Sequence, residues 1–377
     1  MPFIMIVILY KILYIIKRIN TLMKGILLHG GSGTRLRPLT YSDVKQLLPI
    51  AGKPISEYAL ENLISLGIKD INIVVGNVGA DEVIDYYGDG KKWNVNITYT
   101  HQEKPLGIAN AILLAKEFVG NDDFIVYLGD NFLQNGINYL YEKYIKSKYD
   151  GMLALVKVRN PSQFGIAEIN GEKITRLVEK PKEPKSDLAI VGVYFLKPLI
   201  FDIISKLKPS DRGEYEITEA YQIVINKGYN VGYSIVSGWF KDTGTVDDFL
   251  ECNRLVLDSL KYDTEELQEK NISGKTHISD NTIISKDSRI LGPCYIGNNT
   301  KIENSYIGPF TSVGSNCIIK NAEIENSIVM DKTIIDFSDK FYIRESLIGS
   351  NVEIKTGNNN SKSMRLILGR DSKLEMR

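Results

Sequence analysis

Three glycines within four residues, Gly30, Gly31 and Gly33, are followed at once by Thr34 and Arg35, with Lys45 and Gln46 a short way on. Without a Cβ, glycine lets backbone N–H groups turn inward and line a phosphate, and two nearby cations add direct charge. A bare glycine-rich turn is more often structural; Arg35 and Lys45 are what shift the reading to a polyphosphate. The segment is not a Walker A loop, because no Gly-Lys-Ser/Thr ends it. Nor is it a Rossmann fingerprint, because Leu36 stands where the third glycine belongs. Two acidic residues, Asp130 in Leu128-Gly129-Asp130-Asn131 and Asp242 in Trp239–Gly244, end expected strands. Their hard oxygens suit Mg2+, although such residues also serve as ordinary turns and caps. Glu179 and Lys180 adjoin before Pro181, an ordinary surface pair unless the strand finishes there, and the proline says that it does.

These residues need a scaffold that gathers strand ends. From Lys24 to about Leu260, β-branched runs at Gly25–His29, Ile71–Val75, Asn96–Thr100 and Phe124–Leu128 alternate with amphipathic stretches at Ile55–Leu66 and Ile108–Phe118. That alternation specifies a Rossmann-like α/β domain, a mixed and mainly parallel sheet with helices on both faces. Runs at Met152–Val158, Gly165–Ile169, Ile174–Val178 and Ala189–Phe195 have fewer helices between them and predict antiparallel additions. Ligands then belong at the carboxyl ends of the parallel strands.

After Ile272 the rule changes. Isoleucines recur every six residues through Ile302, and the register resumes at Ile307, Val313 and Ile319 after a one-residue slip. Small residues, including Thr276, Ser288, Cys294, Thr300, Thr311 and Cys317, follow the leading positions at a fixed offset. A hexapeptide period predicts a parallel β-helix, with the leading residue inside and room only for small side chains near the corners. The expected architecture is an extension over residues 1–22, a catalytic domain over 23–262 and a β-helix of about four to six coils over 263–377. The pattern breaks over Phe337–Ser346, and the tail after Asn358-Asn359-Asn360 is expected to make a short cap.

Composition bounds the function. The 377 residues carry 46 basic and 46 acidic side chains, so no overall field attracts a nucleic acid, while a local pocket for small anions is allowed. Cys252, Cys294 and Cys317 are odd in number and lack C-x-x-C spacing; they point to neither a disulfide framework nor a zinc site, and fit a cytoplasmic protein. Phe3–Ile16 is apolar apart from Lys11, and Lys17 and Arg18 follow. That run is short for a membrane span, and its basic residues lie on the wrong side for a signal peptide. Residues 1–22 are therefore expected to be dispensable, and removing their cations leaves a slight excess of acid.

The order G-G-x-G-T-R-L, K-Q-L-L-P, Phe164-Gly165-Ile166-Ala167, Val178-Glu179-Lys180-Pro181, Gly192-Val193-Tyr194-Phe195, Arg212–Thr218 and Trp239–Gly244 resembles that of the sugar-1-phosphate nucleotidyltransferases. The likeness is greatest to long members with a C-terminal left-handed parallel β-helix. One departure is His29, where the family has a small residue. The resemblance implies that Gly30, Gly31, Gly33, Thr34, Arg35, Lys45, Gln46, Gln102 and Gly107 bind the nucleotide. It implies that Gly165, Glu179, Lys180 and Tyr194 bind the sugar phosphate, and that Asp130 and Asp242 hold Mg2+. The expected substrates are dTTP and glucose 1-phosphate, with UTP tolerated because thymine and uracil share one imide edge for Gln102 to read. Arg35, Lys180 and Asp130 are the expected catalytic residues, and a homo-oligomer is expected through either domain. The competing readings are a uridylyltransferase, a non-catalytic scaffold that has kept the fold, and an acetyltransferase using His277; the retained phosphate and metal residues argue against the scaffold, and no second motif accompanies His277.

Overall fold

The computed structural model describes residues 23–31, 33–259, 271–356 and 363–376, so the expectation for residues 1–22 lies outside the described residues. Packing divides the described residues into two compact units, those within 23–31 with 56–240, and those within 33–55 with 241–376. This grouping differs from the limits read from sequence. Residues 33–55 and the helix Val246–Ser259 cluster with the C-terminal coils, through long-range contacts that leave no periodic trace in the sequence.

The first unit is built on β1 (Lys24–His29), β2 (Asp70–Gly76), β3 (Asn96–Gln102), β4 (Phe124–Leu128), β5 (Gly151–Lys157), β6 (Gly165–Asn170), β7 (Lys173–Glu179), β8 (Leu188–Leu196) and β9 (Val231–Ile235). Their order is β7-β6-β8-β4-β1-β2-β3, with β5 pairing both β8 and β9. β1 runs parallel to β2 and β4, and β2 to β3; β8 is antiparallel to β4, β5 and β6, so the sheet is mixed as expected. Alternate residues of β1 serve opposite faces. Ile26 and Leu28 join Ile112, Phe201 and Tyr221 in one core. Gly25, on the other face, lies so close to Leu63 that an added Cβ would sit 3.2 Å from its Cδ1. The helix expected over Ile108–Phe118 is two pieces, Ile108–Leu114 and Lys116–Val119, because the chain tightens at Ala115, whose N–H bonds Ile112 O at 3.1 Å.

In the second unit the hexapeptide period becomes a parallel β-helix. Ile272 pairs with Ile290, three hexapeptides on; Ile290 with Ile307, one residue fewer; and Ile319 with Ile335, one fewer again. The column continues through Ile324, Ile343 and the backbone of Met364, giving six layers. The segment after the asparagine run is thus a full coil rather than a short cap. Ile290, Ile296, Ile302, Ile307 and Ile319 are wholly buried, each worth about 1.5–3 kcal/mol relative to exposure. Thr276, Ser288, Cys294, Thr300, Thr311 and Cys317 are buried at the small positions. The break at Phe337 is an insertion: Phe337–Lys340 stand opposite Asn321 alone, with Phe337 and Phe341 packed ring to ring inside the core. Corner residues Asn281, Asn299, Asn316 and Asn351 have left-handed backbones, which asparagine tolerates better than most side chains. The three cysteines are buried free thiols, each pushed up to about 12 by burial. Among the described residues no helix is long and apolar enough to cross a membrane.

Candidate active site

In the first unit the parallel strands finish in register. His29 stands beside Val75, Gly76 beside Gln102 and Leu28 beside Leu128, so Gly30-Gly31, Glu103 and Gly129-Asp130 all leave from one edge of the sheet. Gly129 N donates to Leu28 O at 2.9 Å, and a Cβ there would come within 3.0 Å of that oxygen, which is why glycine precedes Asp130. At Gly30 an added Cβ would meet Gln102 Oε1 at 2.9 Å, so the loop glycine and the expected base reader are neighbours. Gln102 is buried, and its Nε2 donates to Asn110 Oδ1 at 2.9 Å and to Gly107 O at 3.3 Å. Both amide protons are engaged within the protein, which leaves Oε1 as the acceptor a base imide could use. Gly107 has φ 98°, and a Cβ there would meet Tyr215 O at 2.7 Å, so both backbone and space require glycine.

A second cluster in this unit surrounds Glu179. Gly165 pairs with Glu179 across β6 and β7, and Thr218 Oγ1 donates to Glu179 Oε2 at 2.6 Å. Arg212 Nη2 lies 3.5 Å from Glu179 Oε1, 2.8 Å from Glu216 Oε1 and 3.1 Å from Glu214 Oε2. Burial holds the Glu179 carboxyl above its ordinary range, and the Glu216 charge adds to this. β7 ends at Glu179, and Lys180 turns to φ 41° while its N–H bonds Phe164 O at 3.0 Å. Strand alternation therefore stops where Pro181 said it would. Lys180 is exposed, and its charge pulls the neighbouring Glu179 carboxyl down against the effect of burial. The Tyr194 phenol is buried and pushed well above the usual tyrosine range by burial, with the charges of Glu179 and Asp130 adding to the shift. Asp130 Oδ1 accepts from Asn131 Nδ2 at 2.9 Å, and Asn131 Oδ1 in turn accepts from Gly192 N at 3.1 Å.

The second unit holds the rest of the glycine segment. Gly33 is left-handed at φ 56° and caps a short turn, Thr34–Leu36. Its carbonyl accepts from Thr40 Oγ1 at 2.7 Å, and a Cβ on it would meet Thr40 Cγ2 at 2.8 Å. Thr34 and Arg35 are exposed, and the Arg35 guanidinium lies against Gly244, whose added Cβ would fall 2.9 Å from Nη2. Lys45 is buried with Nζ 3.8 Å from Asp242 Oδ1, and Gln46 beside it is buried too. The sequence reading assigned Lys45 to the nucleotide and Asp242 to Mg2+, and did not foresee that the two pair.

The nucleotidyl transferase family profile matches residues 24–259, and a GMPPB C-terminal domain profile matches residues 290–376. The chain belongs to the nucleotidyl transferase family. A glucose-1-phosphate thymidylyltransferase of Streptomyces griseus is 40% identical over 357 residues, covering 94% of this chain and 99% of the relative. The low-salt glycan biosynthesis nucleotidyltransferase Agl11 of Haloferax volcanii is 41% identical over 359 residues, 94% of this chain and all of the relative. A crystal structure of a putative glucose-1-phosphate thymidylyltransferase from Bacillus anthracis, in complex with a sucrose, is similar at TM-score 0.60 and 39% identity, covering 64% of this chain and 97% of that one. This nucleotidyl transferase is thus an enzyme of the sugar-1-phosphate class.

Four residues of this nucleotidyl transferase were assigned no role in the sequence reading. Arg212 and Thr218 fix the Glu179 carboxylate, and Glu216 anchors Arg212; the Arg212–Thr218 run was legible as a resembling segment, but its partner lies on a distant strand. His29 is the fourth. It is 3% exposed, packs edge-on to Tyr87 at 5.7 Å, and both ring nitrogens are buried without a hydrogen-bond partner among the described residues. Burial pushes it down to about 3 from 6.5, against an opposing pull from the Asp130 charge. Between those values the unfolded chain binds the extra proton, so stability is full above pH ~6.5 and falls as acid is added. At pH 5 this group should cost about 2 kcal/mol relative to pH 8. His29→Phe, which fills similar space without ring nitrogens, is expected to show a smaller loss of stability between pH 8 and 5 in urea unfolding; an unchanged loss would refute the assignment.

Proposed function

We propose that the enzyme transfers a thymidylyl group from dTTP to glucose 1-phosphate, releasing pyrophosphate. The observation that carries this reading is the likeness, over 94% of the chain, to a relative named for that reaction. Glucose 1-phosphate already bears an anionic oxygen at neutral pH, so no side-chain nucleophile is needed. That oxygen attacks the α-phosphorus in line as the bond to the β-phosphate oxygen breaks, and the electron pair leaves with pyrophosphate.

Two polyanions repel, so the residues' work is positioning and charge neutralisation. Lys180, exposed at a strand end, holds the sugar phosphate, and Glu179 accepts from sugar hydroxyls. Gly165 beside it keeps that face open, since a Cβ there would meet Glu179 Oε2 at 2.9 Å. Arg35 and Lys45 neutralise the nucleotide phosphates, and Gln102 reads the base edge. Asp130 and Asp242 are each of the chemistry that Mg2+ takes, a hard carboxylate oxygen, and that ion needs only one or two carboxylates and keeps its other positions for water and phosphate oxygens. When bound, Mg2+ supplies charge neutralisation at the phosphates.

Pyrophosphate release across four nucleoside triphosphates and several sugar 1-phosphates tests the reading. The highest kcat/KM is expected for dTTP with glucose 1-phosphate. UTP should be used less well by roughly 10–200-fold, because a methyl-sized difference discriminates by only about 1–3 kcal/mol. A preference for GTP or ATP would sink the thymidylyl assignment.

A further inference from the structure

The segment carrying Arg35 and Lys45 packs as part of the β-helical unit, and it is gripped at two places. At the first, Arg370 Nη2 in the last coil donates to Asp43 Oδ1 at 2.5 Å, and Asp43 is only 9% exposed. The second Asp43 oxygen accepts from Ser42 Oγ at 2.9 Å, and its N–H bonds Leu39 O at 3.1 Å, so the carboxylate is held from both sides. Next to Arg370, a Cβ added to Gly369 would sit 3.0 Å from Pro38 O, so the coil backbone lies directly against Pro38–Leu39.

At the second grip, Ala51 N and Ser312 Oγ both donate to Asn253 Oδ1, at 2.9 and 2.7 Å, and Asn253 Nδ2 donates to Phe310 O at 3.2 Å. Asn253 is fully buried. Beside it the Tyr295 ring covers Gly52, where a Cβ would fall 2.2 Å from the ring. Lys45 lies between the grips, two residues past Asp43, and Gly33 is tied to the same segment through Thr40.

We propose that the β-helix is a seat for the phosphate-binding segment, with Arg370 as a positioning residue that sets the pose of Lys45 and Arg35 through Asp43. This rests on the reading of that segment as the binder of nucleotide phosphates. The geometry separates it from a purely structural role: Arg370 is itself 36% exposed, and its partner stands two residues from the buried Lys45.

The test uses the full chain and initial rates with dTTP and glucose 1-phosphate. Arg370→Ala is expected to raise KM for dTTP by about three- to tenfold, leave KM for glucose 1-phosphate unchanged, and shift thermal unfolding little. Arg370→Lys, which keeps the charge, should recover part of the loss. Lys45→Ala is the control and should raise KM for dTTP more. If Lys45→Ala weakens dTTP while folded Arg370→Ala does not, the seat is refuted and the phosphate reading survives. If Lys45→Ala has no effect either, the phosphate reading fails and the seat with it. An equal rise in both KM values for Arg370→Ala also overturns the proposal.

Discussion

Arg35→Ala should lower kcat by about 10²- to 10³-fold while changing KM for dTTP far less. The argument is about when charge appears. Negative charge on the leaving pyrophosphate grows as the bond to the α-phosphorus breaks, so a cation aimed there stabilises the transition state more than the bound substrate. Arg35 suits this work because it is exposed and planar, on a turn anchored by the Gly33–Thr40 hydrogen bond, with its guanidinium against a residue that has no side chain. A fixed fork of donors meets two phosphate oxygens at once; lysine is a point charge on a longer tether. Arg35→Lys should therefore recover only part of the rate. Steady-state kinetics checks both variants, and a change confined to KM would assign Arg35 to ground-state binding instead.

Much of the scaffold was legible because it is periodic. β1 and β4 each carry one residue type pattern over their whole length, and their pairing in register follows from burying both faces. The isoleucine ladder of the β-helix was readable for the same reason, the leading positions from Ile290 to Ile319 being buried while Ile278 and Ile284 in the first coil are half-buried against the same core. What escaped was set by contacts between residues far apart in sequence. Asn253 reads as one polar residue on an amphipathic helix, yet it joins Ala51 to Ser312. Asp43 and Arg370 stand at opposite ends of the domain sequence, and no local pattern pairs them. For that reason the domain limits read from sequence and the packing units differ at residues 33–55 and 241–259.

The candidate residues divide along the same line. The glycines at 30, 33, 107 and 165 were found by motif, and the structure supplies a separate reason for each: a neighbouring atom stands where a Cβ would be. Lys180 was placed by Pro181 and the end of the strand, a local signal. The support around Glu179 was not legible, because Thr218 and Arg212 reach it from a loop and helix some thirty to forty residues later. A carboxylate that accepts from Thr218 is already oriented before sugar hydroxyls approach, which reduces the ordering cost of binding.

Asp130→Asn is expected to reduce turnover by about 10³-fold and to abolish the Mg2+-dependent part of nucleotide binding measured by calorimetry. The substitution is nearly isosteric, and an amide oxygen can still accept from Asn131 Nδ2 at 2.9 Å, so the fold at the end of β4 should hold. What disappears is one negative charge in a partly buried position beside the sheet edge. A neutral amide is a poor ligand for a cation that prefers charged oxygens, so the loss should not be rescued by moderate Mg2+. Asp242→Asn should cost less. Asp242 also neutralises Lys45 at 3.8 Å, and removing it leaves that buried ammonium with more charge to offer the nucleotide phosphates. The two variants thus separate a metal ligand from a lysine partner: unchanged Mg2+-dependent binding in Asp130→Asn would refute its metal role, and equal losses in both would mean that the Lys45 pairing offsets nothing.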